Sequence, residues 1–227
     1  MIKDRIDFVL VHGAFVGGWA VSRLAGCLVR EGHRVYAPTL TGLGERSHLA
    51  GCDVDLSTHV SDVVNEIRWK DLNEVVLVGM SYGGMVITGA AEQIGDRLAS
   101  IVYVDACIPG DGQSFADLSG RELTGRMTPP PDMSIFPFAS EADREWFAGK
   151  QTAQPTATFT EKLHVTGAYQ RVPKKVWVKA TGWRGASDPL TDSLRADPTW
   201  MVCEIDSGHD VANLKPEELA AILVSYS

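Results

Sequence analysis

Short, dense apolar runs alternate along this chain with longer stretches of mixed, amphipathic sequence. The short runs, at residues 8–11, 34–37, 75–78, 101–104, 176–180 and 200–205, predict six strands. The amphipathic stretches predict helices at 18–31, 58–70, 83–94, 191–196 and 216–225. Ser57 and the pair Lys215-Pro216 read as helix starts, the latter placing proline at the first helical position. Gly32 reads as the residue that closes the first helix. Strands separated by single helical stretches imply parallel pairing, with helices covering both faces. The expected fold class is therefore α/β, a doubly wound and mostly parallel six-stranded sheet.

Residues 110–174 break this rhythm. The segment holds Pro129, Pro130, Pro131, Pro137, Pro155 and Pro173 together with Phe115, Phe136, Phe138, Trp146, Phe147 and Phe159. A structureless loop of that length is out of place in a compact domain, and its aromatics call for packing. We read it as a small cap, partly helical around 141–149, inserted into a core formed by 1–109 and 175–227. It is expected to lie over the C-terminal edge of the sheet.

The 227 residues, 44% of them hydrophobic, suffice for one substantial core. A formal charge of −8 and a pI near 5.2 argue against nucleic acid or an anionic membrane surface as partner. The apolar run at 8–11 is too short for a secretory signal, and no apolar span reaches membrane-crossing length. Cys27, Cys52, Cys107 and Cys203 are scattered, with no C-x-x-C pair and no histidine spacing suited to zinc. Free thiols and a cytoplasmic location are expected, with no metal and no cofactor.

The sequence becomes chemically specific at residues 75–84, VVLVGMSYGG. An apolar strand broken by Gly79-Met80-Ser81-Tyr82-Gly83 and followed by helix-forming sequence is the pattern of a nucleophile elbow. It lifts a serine hydroxyl into a cleft beside a helix N-terminus, and Ser81 is the candidate nucleophile. After the first strand, His12-Gly13-Ala14-Phe15-Val16-Gly17-Gly18 forms a turn whose backbone can approach a ligand and aim amides at an oxyanion. The spacing is not G-x-G-x-x-G, so a dinucleotide site is not implied. His209 follows the last strand, where a neutral imidazole can act as general base. His12 competes for that role but precedes the nucleophile, against the serine, acid, histidine order of this architecture. For the acid, Asp105 at the end of strand 101–104 is preferred, with Asp188 in the loop after strand 176–180 as the alternative.

The segments VHGAFVGGWA, APTLTGLGERSHL, VVLVGMSYGGMV, VYVDACIPGDGQS and SGHDVANLKPEELA resemble the α/β-hydrolase superfamily. Within it they resemble the branch of plant methylesterases, hydroxynitrile lyases and bacterial pyrethroid-type carboxylesterases. The resemblance implies Ser81 as nucleophile, His209 as base, and the amides of Ala14 and Tyr82 as oxyanion hole. It implies a sheet lacking the superfamily's first two strands, in the order 2-1-3-4-5-6. Methylesterases and lyases of this branch place the acid after the strand matching 176–180, whereas some superfamily members carry it one strand earlier, at the position of Asp105. The lyases have threonine and lysine where this chain has Gly13 and Asp210, so the expected activity is hydrolysis of a small apolar carboxylic ester through an acyl-enzyme. Amide, carbamate, lactone or C–C hydrolysis on the same residues, or ligand binding with little turnover, are the alternatives. Phe15, Phe136, Phe138, Trp146 and Phe147 are the expected pocket lining.

Overall fold

The computed structural model describes residues 5–51, 53–183 and 188–227. Its strands are β1 (Asp7–Val11), β2 (Arg34–Tyr36), β3 (Val75–Met80), β4 (Leu98–Val104), β5 (Met127–Thr128), β6 (Gln154–Pro155), β7 (Lys174–Ala180) and β8 (Trp200–Ile205). Six of them form one sheet in the order β2-β1-β3-β4-β7-β8, every pairing parallel, which is the expected order. The strands β5 and β6 pair antiparallel as a separate two-stranded sheet.

The alternation of side chains along each strand splits the core into two layers. Val9, Val11, Leu77, Ile101, Tyr103 and Trp177 face one side; Phe8, Leu10, Val76, Val78, Val102, Val176 and Val178 face the other. In chain order the helices are α1 (Ser22–Arg30), α2 (Leu56–Arg68), α3 (Gly83–Ile94), α4 (Phe115–Ser119), α5 (Glu141–Ala148), α6 (Ala157–Thr160), α7 (Asp188–Ala196), α8 (Val211–Leu214) and α9 (Pro216–Ser225). Helices α2, α3 and α7 contribute to the first layer; α1, α8 and α9 contribute to the second. Burying both sheet faces explains why these strands read as nearly continuous apolar runs.

Element boundaries differ from expectation where polar chemistry intervenes. The helix expected from residue 18 opens as a 3-10 turn, Gly18–Val21, before α1 begins at Ser22. Helix α2 starts at Leu56 because Asp55, not Ser57, is its N-cap: Asp55 accepts from the Thr58 N–H (2.8 Å) in a reciprocal capping box. Strands β4 and β7 start earlier than their apolar cores, taking in Ser100 and Lys175, which are buried despite their polarity.

The 110–174 segment has little regular structure of its own: α4, the β5–β6 pair, α5, α6 and two 3-10 turns. The expected helix around 141–149 is α5, with the Ser140 hydroxyl accepting from the Asp143 N–H (3.1 Å) at its N-cap. The segment docks in two ways. Phe159, 1% exposed, inserts between Phe15 and Tyr82, at ring-centroid distances of 5.4 and 5.3 Å. Earlier in the segment, Trp146 and Phe147 pack edge-on against Trp19, and Asp143 pairs with Arg23.

Candidate active site

Strands β3 and β4 both end in residues forced into the left-handed backbone region, Ser81 at φ 52° and Asp105 at φ 43°. Such a conformation is strained for residues bearing a Cβ and persists only where surrounding structure enforces it. At Ser81 the enforcement is visible. Its N–H donates to the Val104 carbonyl (3.3 Å), and its own carbonyl accepts from Gly84 (3.1 Å) and Cys107 (3.0 Å). The flanking glycines are required by close approach: a Cβ on Gly79 would stand 2.8 Å from the Gly83 carbonyl oxygen, and one on Gly83 would stand 2.6 Å from that of Val11. The chain thus turns from β3 into α3 with Ser81 at the corner.

The turn after β1 lies directly against this corner, since a Cβ on Gly13 would be 3.4 Å from Ser81 Cβ. His12 braces that turn from beneath. It is fully buried, its Nε2 accepting from the Leu40 N–H (3.1 Å) and its Nδ1 donating to the Gly13 carbonyl (2.8 Å). Burial drives its pKa down to about 4, so the ring is neutral with both nitrogens occupied. That geometry removes His12 as a competing base and makes it a strut. Among the described residues, no hydrogen-bond partner engages the backbone N–H of Ala14 or of Tyr82.

Just past the end of β4, Asp105 meets His209. Its Oδ2 lies 2.7 Å from His209 Nδ1 and also accepts from Trp183 Nε1 (2.7 Å). The carboxylate is nearly sealed, with 2% side-chain exposure, whereas the imidazole keeps 24% and remains reachable. Trp183 and Phe136 flank the ring, at centroid distances of 4.6 and 6.0 Å. The Asp105 N–H is held by the Val178 carbonyl (2.8 Å), which ties the acid to the neighbouring strand. Trp183 is a partner that sequence reasoning did not name; only its position just past β7 hinted at it. The side chain of Asp188, the alternative acid, lies outside the described residues.

The remaining sequence candidates separate into three places. Phe136 lies at the histidine. Phe15 is buried against Phe159 beneath the Ala14 turn. Phe138, Trp146 and Phe147 gather with Trp19 instead, where Lys150 Nζ stands 5.2 Å from the Trp19 ring centre and 4.8 Å from that of Trp146. Phe138, Trp146 and Phe147 line a cavity of about 10 Å³ together with Arg23 and Asp210, about the room of one water. Asp210, at the position where lyases carry lysine, is turned to Asn213 Nδ2 (2.8 Å), and burial raises its carboxyl to about 6. Burial and the neighbouring Asp105 push the Cys107 thiol up to about 12, which leaves it unreactive beside Ser81. Among the described residues, no group of three or more His, Cys, Asp or Glu side chains is arranged to hold a metal ion, and no helix is long and apolar enough to cross a membrane.

The model of the α/β hydrolase family matches residues 8–222. The chain belongs to the α/β-hydrolase family. A carbendazim hydrolyzing esterase from Nocardioides sp. (strain SG-4G) is 37% identical over 96% of this chain and 98% of that protein. A putative chloroplastic methylesterase of Arabidopsis thaliana is 25% identical over 97% of the chain and 56% of its own length. Among solved structures, an extracellular α/β-hydrolase from a Paenibacillus species superposes with a TM-score of 0.81 at 26% identity, covering 98% of this chain and 99% of that one. Its description gives it structural and functional homology to tobacco salicylic acid binding protein 2. Within this α/β-hydrolase, the elbow, the amide-bearing turn and the His–Asp pair all lie at the C-terminal edge of the parallel sheet, where open α/β folds place their ligands.

Proposed function

We propose that this α/β-hydrolase is a cofactor-independent serine carboxylesterase that cleaves small apolar esters through an acyl-enzyme on Ser81. The ester-hydrolase class follows from the family and from its esterase-named relatives. The residue roles are our reading of the site. His209 gives Nδ1 to Asp105, so Nε2 is the nitrogen free to take the Ser81 proton and return it to the leaving alcohol. Asp105 orients the ring and stabilises the imidazolium as it forms. The amides of Ala14 and Tyr82 receive the developing oxyanion; an amide left without a protein partner is available to do so. Water then releases the acid. The observation that carries this reading is the 2.7 Å His209–Asp105 pair, together with a left-handed Ser81 whose N–H is bonded to Val104, the residue before Asp105.

In the same proposal, residues 110–174 act as a cap over the core 1–109 and 175–227. Phe136, which flanks His209, is the pocket residue nearest the chemistry, and Phe15 supports the floor. Phe138, Trp146 and Phe147 serve chiefly to seat the cap on Trp19. The free thiols of Cys27, Cys107 and Cys203 suit a reducing, cytoplasmic setting. The test is a panel of purified-protein assays on aryl and methyl esters, a lactone, an amide, a carbamate and carbendazim, with fluorophosphonate labelling mapped to its residue. Ester turnover with the label on Ser81 is expected. Turnover confined to the amide or carbamate would shift the bond assignment, and tight ligand binding without turnover would replace the enzyme reading.

A further inference from the structure

Gln154 is the first residue of β6, 139 positions beyond Phe15 in the chain and fully buried. A primary amide in such a place must satisfy both ends. Its Oε1 accepts from the Phe15 N–H (2.9 Å), and its Nε2 donates to Thr158 Oγ1 (2.8 Å). The Thr158 hydroxyl in turn donates to the Pro155 carbonyl (2.7 Å), so its oxygen can only accept from Gln154. This chain of donors fixes the amide's orientation: flipped, its NH₂ would face the Phe15 N–H.

The group it holds is not an ordinary one. Phe15 has φ 67°, a strained conformation for a residue with a Cβ. Both of its backbone polar groups are taken by the inserted segment, the N–H by Gln154 and the carbonyl by the Thr152 N–H (2.9 Å). On the other side of Ala14, His12 holds the Gly13 carbonyl. The peptide that carries the Ala14 N–H and the peptide that follows are therefore pinned in succession, one from the core and one from the cap. The same short stretch also reaches the side chain of Tyr82, the residue that carries the second amide donor. The Tyr82 hydroxyl shares its proton between His59 Nδ1 (2.9 Å) and the Thr158 carbonyl (3.3 Å), and Phe159 fills the space between the Phe15 and Tyr82 rings.

We propose that Gln154 is a positioning residue for the oxyanion hole, and that residues 154–159 set the spacing of its two amide donors. The inserted segment then does more than cover substrate: it is part of the scaffold on which transition-state stabilisation depends. This rests on the ester-hydrolase reading above. A donor displaced by about an ångström, or lost, costs on the order of 10² in rate while leaving ground-state binding intact.

The experiment compares wild-type protein with Gln154→Leu, Gln154→Glu and Thr158→Val, all checked for folding by circular dichroism. Each is assayed on a p-nitrophenyl ester, with inhibition by a trifluoromethyl ketone, which forms a tetrahedral oxyanion adduct, and by the product acid, which does not. Gln154→Leu is expected to lower kcat about 10²-fold with KM within about threefold. Affinity for the ketone should fall by the same factor and that for the acid should hold. Gln154→Glu, kept protonated by complete burial, retains an acceptor for the Phe15 N–H and a donor for Thr158, and should recover most of the loss. Should Gln154→Leu not fold, Thr158→Val decides, with a loss of about tenfold in kcat and in ketone affinity. A folded Gln154→Leu within threefold of wild type, or equal losses toward ketone and acid, overturns the proposal while leaving the esterase reading in place. Wild-type protein inert to every ester and to fluorophosphonate overturns both.

Discussion

The C-terminal edge of the sheet and the 110–174 segment lie against each other yet are held by different forces. At the edge, position is set by ladder and turn hydrogen bonds: Ser81 to Val104, Asp105 to Val178, Gly182 to Ser207. In the segment, position is set mostly by side chains, namely Gln154, Phe159, the pairing of Asp143 with Arg23, and Trp146 and Phe147 on Trp19, with the Thr152 N–H on the Phe15 carbonyl as a backbone tie. Backbone ladders place atoms with little freedom, which suits groups that must transfer a proton. Side-chain docking tolerates change in outline, which suits a surface that must match a substrate. Gln154 crosses that division, because a residue of the adaptable region holds a backbone amide of the rigid one.

The comparison can be broken most directly at Ser81. Ser81→Ala should lower turnover of an activated aryl ester by about 10⁵-fold and abolish fluorophosphonate labelling, with the melting temperature little changed. Residual activity within tenfold would remove the edge from the chemistry. Next in size, Asp105→Asn should cost about 10⁴ in kcat, because an amide no longer holds the imidazole in the productive tautomer or stabilises its charged form, whereas Asp188→Asn should stay within threefold. The reverse pattern would reassign the acid.

The rigidity of the edge also has a pH signature. His12 stays neutral in the folded protein down to about pH 4, while in the unfolded chain it protonates near 6.5. Its contribution is therefore complete above pH 6.5 and lost as pH falls toward 4, a difference of about 3 kcal/mol. Buried His59, also shifted down, acts in the same direction. Asp210 acts oppositely, since a carboxyl held up at about 6 loses stability as pH rises between 3.8 and 6. Urea unfolding of wild type and His12→Gln at pH 7 and pH 4.5 isolates the His12 part, because Asp210 is common to both; equal pH slopes would contradict it.

Smaller effects sharpen the comparison. Trp183→Phe removes one donor from Asp105 but keeps a ring against His209, and should lower kcat about tenfold. Trp146→Ala loosens the segment without touching the edge. It should leave kcat on a small aryl ester within about threefold and change the preference between bulky and small acyl groups. A loss of kcat comparable to that of Trp183→Phe would show that docking on Trp19 matters to the chemistry itself.

The strand order came from the resemblance to the α/β-hydrolase superfamily, whereas dense apolar runs and glycine placement were enough to read the α/β class, the six parallel strands and the elbow at Ser81. Those features follow from local sterics and from burying both faces of a sheet, and both leave marks in the residue pattern. The pairing of Asp105 with His209, 104 positions apart, was legible only as a preference over Asp188. Which carboxylate reaches the ring depends on how far each strand end projects and on the left-handed turn at Asp105. Trp183 on that carboxylate, the burial of His12 as a strut and the Gln154–Phe15 bond were decided by tertiary structure alone. Each joins residues whose partners lie on another element, and a buried Gln, His or Trp carries no mark in the sequence of what it will meet. The local pattern thus determined where a nucleophile can stand. The three-dimensional packing decided what surrounds it, because hydrogen-bond partners are chosen by distance in space and not by distance along the chain.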